Sequence, residues 1–109
     1  MHVKQLKDNY YQTLLLEFTV VKYKQSKEQS YISRIYELTL ENVHQYMMSK
    51  TNNTQVVTYC IQMLYRDLYY EIDNYSLSGN FLQWLEMIAD KIYQEVSKTL
   101  APKLLVNNI

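Results

Sequence analysis

Apolar residues recur along most of this chain at intervals of three and four, which is the spacing of one face of an α-helix. The segment 54–75 shows the pattern most clearly, with one side made of Val57, Ile61, Leu64, Leu68, Ile72 and Tyr75. The opposite side of the same helix also carries large side chains at helical spacing: Tyr59, Met63, Arg66 and Tyr70. The first side predicts a core stripe. The second predicts an outward surface, although these four residues could also lie along the surface or under a loop.

The first segment, from about Val3 to Lys24, carries apolar residues on both sides of the predicted helix. The longer row is predicted to face the core: Val3, Leu6, Tyr10, Leu14, Phe18 and Val21. The shorter row is then predicted to form an exposed patch on the back of the helix: Leu16, Val20 and Tyr23. A β-strand is the alternative for 14–21, because apolar residues alternate there and several are β-branched.

A second helix is predicted from about Lys27 to Lys50. Ser26 and Gln29 have the S-x-x-Q spacing of a capping box, which marks a helix start. The predicted core positions of this helix are Tyr31, Ile32, Ile35, Leu38, Val43 and Tyr46. Its polar side carries Arg34, Glu37, Glu41 and His44.

Two polar stretches separate the later helices. The sequence TNNT, 51–54, offers Thr and Asn side chains that can cap the following helix. The sequence SLSGN, 76–80, predicts a turn, with Ser78 or Asn80 capping a fourth helix over 81–100. The apolar positions of that helix are Leu82, Leu85, Ala89, Ile92 and Val96, flanked by Phe81, Ile88, Tyr93 and Leu100. Trp84 lies off this stripe, and Pro102 is predicted to end the helix.

Four helices joined by short turns predict an all-α fold, an antiparallel four-helix bundle with a short C-terminal tail. A chain of 109 residues fits one domain, predicted as 1–101 with a tail at 102–109. The single Gly and single Pro leave few positions for turns, which favours long helices. The 48% apolar content is typical of a folded globular protein.

Charge, cysteine content and the absence of long apolar runs argue against a disulfide-linked, secreted or membrane-spanning protein. Eleven basic and eleven acidic residues give a formal net charge of zero. Cys60 is the single cysteine, so no intrachain disulfide can form, and its position predicts a small apolar core residue. The sequence shows no secretory signal and no apolar run long enough for a membrane span, so we expect a cytoplasmic protein.

Patterns for catalysis or metal binding are weak. Glu41 and His44 have the Glu-x-x-His spacing of di-iron bundles, but that chemistry requires a second such pair, and the other histidine is His2. Glu86 and Asp90 are four residues apart and could share a proton, although such pairs usually lie on a solvated helix face. We therefore predict no enzymatic activity, no metal and no cofactor.

The alternative function is that of a nucleic-acid-binding regulator of phage or plasmid type. Lys22, Lys24 and Lys27 surround Tyr23, so they could contact phosphates while the ring stacks on a base. The zero net charge and the acidic central region argue against it.

The function favoured by the pattern is non-catalytic protein binding, of an inhibitor, immunity or adaptor type, with a homodimer as the expected assembly. Tyr, Met and Arg are enriched in protein interfaces. The predicted contact residues are therefore Tyr59, Met63, Arg66 and Tyr70, extended by Leu16, Val20 and Tyr23. In length, helix layout and C-terminal tail the chain resembles the bacteriocin immunity proteins of Gram-positive bacteria, and also small phage- or plasmid-encoded inhibitors. This resemblance in size and layout implies a cytosolic binding role and assigns no particular residues.

Overall fold

The computed structural model describes residues 2–77 and 80–99, with side chains from Tyr10 onward. It contains four α-helices: α1 His2–Ser26, α2 Gln29–Met48, α3 Thr54–Glu71 and α4 Phe81–Thr99. A short 3-10 turn, Ile72–Asn74, extends α3. The predicted all-α four-helix bundle is confirmed, and the strand alternative for 14–21 is wrong because α1 is helical throughout that stretch. The predictions for Val3, Leu6, Ser78, Leu100, Pro102 and the tail 102–109 lie outside the described residues and side chains.

The helices follow one another in antiparallel order, as short connections require. Tyr69, near the end of α3, lies beside Gln29 at the start of α2, and their side chains are hydrogen-bonded. Further into the bundle, the rings of Tyr36 and Tyr65 meet edge to face, with their centroids 4.7 Å apart. α1 packs mainly against α2, while α4 packs against α3 and α2.

The core draws side chains from all four helices. Its largest fully buried members are Phe81, Ile35, Met47, Leu64, Leu68, Ile72, Leu85, Val20, Val43, Val56, Val57 and Thr39. The core stripes predicted for α3 and α4 are largely confirmed, because their apolar residues are buried or packed against the buried cluster. Cys60 is buried as predicted, and this burial raises the pKa of its thiol.

The residue that follows α1 has a left-handed backbone conformation, and α2 begins without the predicted capping box. Lys27 has φ 58°, and its amide donates to the carbonyl of Tyr23 at 2.7 Å, which closes the last turn. Ser26 is the last residue of α1, and its hydroxyl accepts from the amide of Glu28 at 3.1 Å. The capping-box prediction is wrong, because Ser26 still belongs to the preceding helix and α2 begins at Gln29.

The cap predicted within TNNT is confirmed at Asn53. Its side-chain oxygen accepts hydrogen bonds from the amides of Gln55 and Val56 at 3.0 and 3.2 Å. Two of the four amides that a helix start leaves without intrahelical partners are thereby satisfied.

The side of α1 that faces the core is the side that the sequence pattern predicted to be exposed. Leu16, Val20 and Tyr23 are buried, whereas Leu14 and Phe18 on the opposite side are exposed. The prediction that Leu16, Val20 and Tyr23 form an exposed contact patch is therefore wrong. Both sides of α1 are apolar. The sequence pattern predicted that the longer row faces the core because it contains more apolar residues, but the shorter row is the one that packs against the bundle.

Glu17 joins α1 to the start of α4. One carboxylate oxygen accepts the hydroxyl of Tyr75 and, at 3.1 Å, the amide of Phe81. Because Phe81 is the first residue of α4, this negative charge lies at the positive end of the helix dipole. The predicted cap Asn80 supplies its backbone carbonyl, which accepts the amide of Trp84 at 3.0 Å. Trp84 is half-buried at the bundle edge, 5.2 Å from the ring of Tyr75.

Candidate protein-binding surface

Exposed apolar side chains are concentrated on the outward side of α1. Six large apolar side chains in the described part of the chain are more than half exposed, and four of them lie on this helix. They are Tyr10 (67% exposed), Tyr11 (69%), Leu14 (51%) and Phe18 (58%). Because residues three and four apart in a helix lie one above the other, the four form a continuous line, termed here the α1 stripe.

The α1 stripe is uncharged and large. Residues 9–16, NYYQTLLL, contain no Asp, Glu, Lys, Arg or His. At the C-terminal end of the stripe the ammonium group of Lys22 lies 5.3 Å from the centroid of the Phe18 ring. The exposed parts of the three rings amount to roughly 400 Å², if each ring side chain offers about 200 Å². An area of this size is comparable to the largest apolar patches of monomeric proteins, which often bind a partner.

The outward face predicted on α3 is present but is less apolar than the α1 stripe. Tyr70 is 79% exposed, Tyr59 is partly exposed and Met63 is half-buried. Arg66 is exposed and turns its guanidinium toward the neighbouring Asp67, with an N–O distance of 3.1 Å. The four predicted residues therefore share one side of α3, which presents one strongly exposed ring and an ion pair.

A polar cleft of about 780 Å³ lies between α1, α2 and the start of α4. Glu17 and Leu16 line it from α1, and Leu82 lines it from α4. On α2, Arg34 donates to Glu37 at 3.1 Å, so part of the charge in this cleft is paired.

A second groove, of about 340 Å³, is lined by tyrosines from α2 and α3. The hydroxyl of Tyr65 is hydrogen-bonded to Thr39 at 2.7 Å. Burial raises the pKa of Tyr65 to about 12, so its phenol stays protonated near neutral pH. The hydroxyl of Tyr69 accepts a hydrogen bond from Gln29. These tyrosines therefore stabilise the α2–α3 contact.

The metal and acid–base possibilities gain no support from the described residues. Glu41 and His44 are both exposed on α2. In the described ranges, no group of three or more His, Cys, Asp or Glu side chains is arranged to hold a metal ion.

Asp90 binds α2 and does not pair with Glu86. Its two carboxylate oxygens accept the hydroxyl of Tyr46 at 2.9 and 2.8 Å, and one lies 3.0 Å from the ammonium of Lys50. Partial burial by itself would raise the pKa of Asp90, but the hydrogen bonds from Lys50 and Tyr46 outweigh it. The pKa of Asp90 is therefore lowered.

Replacing Asp90 by Asn is expected to lower the free energy of unfolding at pH 7 by about 1 kcal/mol, after allowance for the partial exposure of the ion pair. Because folding lowers the pKa of Asp90, the stabilisation is present above the aspartate pKa of the unfolded chain, about 3.9. It is lost as the pH falls through the lower pKa of the folded state.

Urea unfolding of wild type and variant across this pH range measures the effect. The difference in unfolding free energy should be constant near neutral pH and shrink below pH ~4. Glu86→Gln, one helical turn away, is the control and should change stability little. If the difference in unfolding free energy between wild type and Asp90→Asn persisted unchanged at the lowest pH, it would contradict a stabilising role of the ionised Asp90 carboxylate.

The basic stretch at the end of α1 is largely used inside the protein. Tyr23 is buried, so its ring is not accessible to a base. The ammonium of Lys24 donates to the carbonyl of Tyr75 at 2.7 Å, and Lys27 forms an ion pair with Asp73. These contacts weaken the nucleic-acid alternative, since its stacking ring and two of its three lysines have intramolecular roles.

None of the helices in the described part of the chain is both long enough and apolar enough to cross a membrane.

Comparisons with protein-family models, curated proteins and solved structures found no match to this chain. The function must therefore be argued from the geometry.

Proposed function

We propose that this protein is a non-catalytic helical module that acts by binding protein through the α1 stripe. The observation that carries the proposal is the exposure of Tyr10, Tyr11, Leu14 and Phe18, each by more than half, along one side of one helix. Covering such a surface removes apolar area from water, which favours association. Tyr and Phe rings also lose little conformational entropy on binding, because each has only two side-chain torsions.

The inward side of α1 holds the C-terminal end of the stripe, around Phe18, in a fixed position. Val20 is in the core, and the carboxylate of Glu17 binds the start of α4. Near the end of the helix, Lys24 is hydrogen-bonded to the backbone of Tyr75. These three contacts lie from position 17 onward, so the Phe18 end of the stripe is organised before a partner arrives, which lowers the entropic cost of binding there.

An inhibitor, immunity or adaptor role fits this arrangement, because each acts by covering a surface of another protein. The face of α3 around Tyr70 is a second candidate contact, and it is smaller because Met63 is half-buried and Arg66 is paired with Asp67. The cytoplasmic location stays a prediction from the sequence.

A photo-reactive phenylalanine analogue placed at Phe18 tests the proposal in the cells that make the protein. We expect covalent adducts of defined mass from position 18, and none from the same analogue at Gln94, an exposed position of α4. Leu14→Asp should reduce adduct formation by at least tenfold, since a charge in the centre of an apolar contact is costly. Equal labelling at both positions, or no adduct at position 18, would overturn the proposal.

The nucleic-acid alternative is tested separately with labelled single-stranded DNA and RNA at low salt. Because electrostatic binding of nucleic acid is strongest at low salt, absence of binding there would exclude this function.

A further inference from the structure

We infer that the protein bound by the α1 stripe is a second copy of this chain, packed antiparallel across a two-fold axis near Leu14. The inference rests on the proposed function, because it names the partner of the same surface. It is carried by the equal spacing of Tyr10 and Phe18 on either side of Leu14, by the lack of charge in residues 9–16 and by the exposed area of the stripe.

Two rings of the stripe lie at equal distances from its centre. Tyr10 and Phe18 lie four residues to either side of Leu14, about one helical turn each way. A two-fold interface requires that whenever residue i contacts residue j of the other copy, j also contacts i. With the axis at Leu14, Tyr10 packs against Phe18 of the partner subunit, and this ring pair occurs twice. Such aromatic pairs stabilise an interface beyond the area that they bury.

The lack of charge makes this surface compatible with itself. A charged patch repels an identical patch, and two like charges brought together in an interface oppose association. The central part of the stripe, residues 9–16, contains no charged residue. Lys22 lies at its C-terminal end, beside Phe18, and Lys7 and Asp8 precede its N-terminal end in the sequence. The net charge of the chain is zero, so two copies experience little long-range repulsion.

The available area is sufficient for a stable dimer. The three rings expose roughly 400 Å² in each copy, so a symmetric pair covers about 800 Å² of ring surface. Leu14 is half exposed, and the half-buried Leu15 and Val21 lie beside the stripe and add to the contact. The total then exceeds the ~1,000 Å² expected of a specific interface.

Light scattering coupled to size exclusion, followed by sedimentation across a range of concentrations, measures the assembly. We expect about twice the chain mass of 13.2 kDa. Leu14→Asp should raise the dissociation constant at least 100-fold and leave the helical circular dichroism unchanged, because Leu14 lies outside the core. Met87→Asp, at an exposed apolar position of α4 outside both candidate surfaces, is the matched control and should remain dimeric.

Disulfide trapping tests the antiparallel geometry. Leu14→Cys should link readily to its counterpart, because the two-fold axis brings the two positions together. Gln25→Cys lies on the same side of α1 but should not link, since the two copies of position 25 are about 33 Å apart in an antiparallel pair. The native Cys60 is buried, so the wild-type chain serves as the background control.

Each other outcome overturns the inference. A monomer at all concentrations up to ~100 μM, or efficient linkage at position 25 with or without linkage at position 14, would exclude the antiparallel dimer. A monomer that becomes dimeric only after removal of residues 100–109 would show that the tail covers the stripe. A monomer whose position-18 adduct contains a foreign protein would overturn the inference that the partner is a second copy, while supporting the proposed function. A monomer without any adduct would overturn both.

Discussion

Replacing Val20 by Asp is expected to destabilise the protein by at least about 4 kcal/mol, because the new carboxylate would be buried without a partner. Val20 is 0% exposed and lies on the side of α1 that packs into the core. The substitution also removes the buried methyl groups of Val20. The total stability of a domain is about 5–15 kcal/mol, so this one change should remove a large part of it and lower the urea midpoint sharply.

Phe18→Asp, two residues earlier on the same helix, is the matched control. It introduces the same charge on the exposed side and places it four residues before Lys22, a favourable helical spacing. We expect a change in unfolding free energy within about 1 kcal/mol. Far-UV circular dichroism and urea unfolding measure both variants, at protein concentrations low enough that dimerisation does not contribute. A folded Val20→Asp variant together with an unfolded Phe18→Asp variant would show that α1 faces the core with its longer apolar row.

Replacing Glu17 by Ala is expected to lower the free energy of unfolding by about 2–3 kcal/mol. The change removes the acceptor of two hydrogen bonds, from the Tyr75 hydroxyl and the Phe81 amide, both in partly buried surroundings. It also removes a negative charge from the N-terminal end of α4, where the helix dipole favours it. The first amide hydrogens of α4 should exchange with solvent faster, since the hydrogen bond from the Phe81 amide to Glu17 is lost.

A double-mutant cycle isolates the contact. Glu17→Ala, Tyr75→Phe and the double variant should give a coupling energy of about 1 kcal/mol in urea unfolding. Glu41→Ala removes an exposed carboxylate lining the same cleft and should change stability by less than about 0.5 kcal/mol. Glu17→Gln keeps an oxygen acceptor and should fall between wild type and Glu17→Ala. Strict additivity of Glu17→Ala and Tyr75→Phe would show that the two groups do not interact.

The α1 stripe was visible in the sequence as a row of apolar residues but was predicted to face the core. Two features of its composition are consistent with exposure. Tyr10 and Tyr11 carry hydroxyl groups that tolerate water, and Phe18 precedes Lys22 by one helical turn. The face of α3 around Tyr70 could be predicted as outward because the other side of that helix was consistently apolar.

The sequence by itself determined where the helices of this protein form. Apolar residues recur at intervals of three and four residues, and Gly and Pro are scarce. These two features predict four helices with bounds close to those observed. Asn53 could be identified as a cap because capping depends on a few neighbouring residues. In α3 and α4 one predominantly apolar side was enough to predict which residues are buried.

Only the tertiary structure decided which side of α1 is buried and which is exposed. Both sides are apolar, and the side that packs also carries Thr19, whose hydroxyl is satisfied inside the helix by the carbonyl of Leu15 at 2.7 Å. Glu17 further favours this orientation, since only then does its carboxylate reach the amide of Phe81, 64 positions later in the chain. Periodicity is a property of one helix, whereas burial depends on the shape and the polar groups of the helices against which it packs.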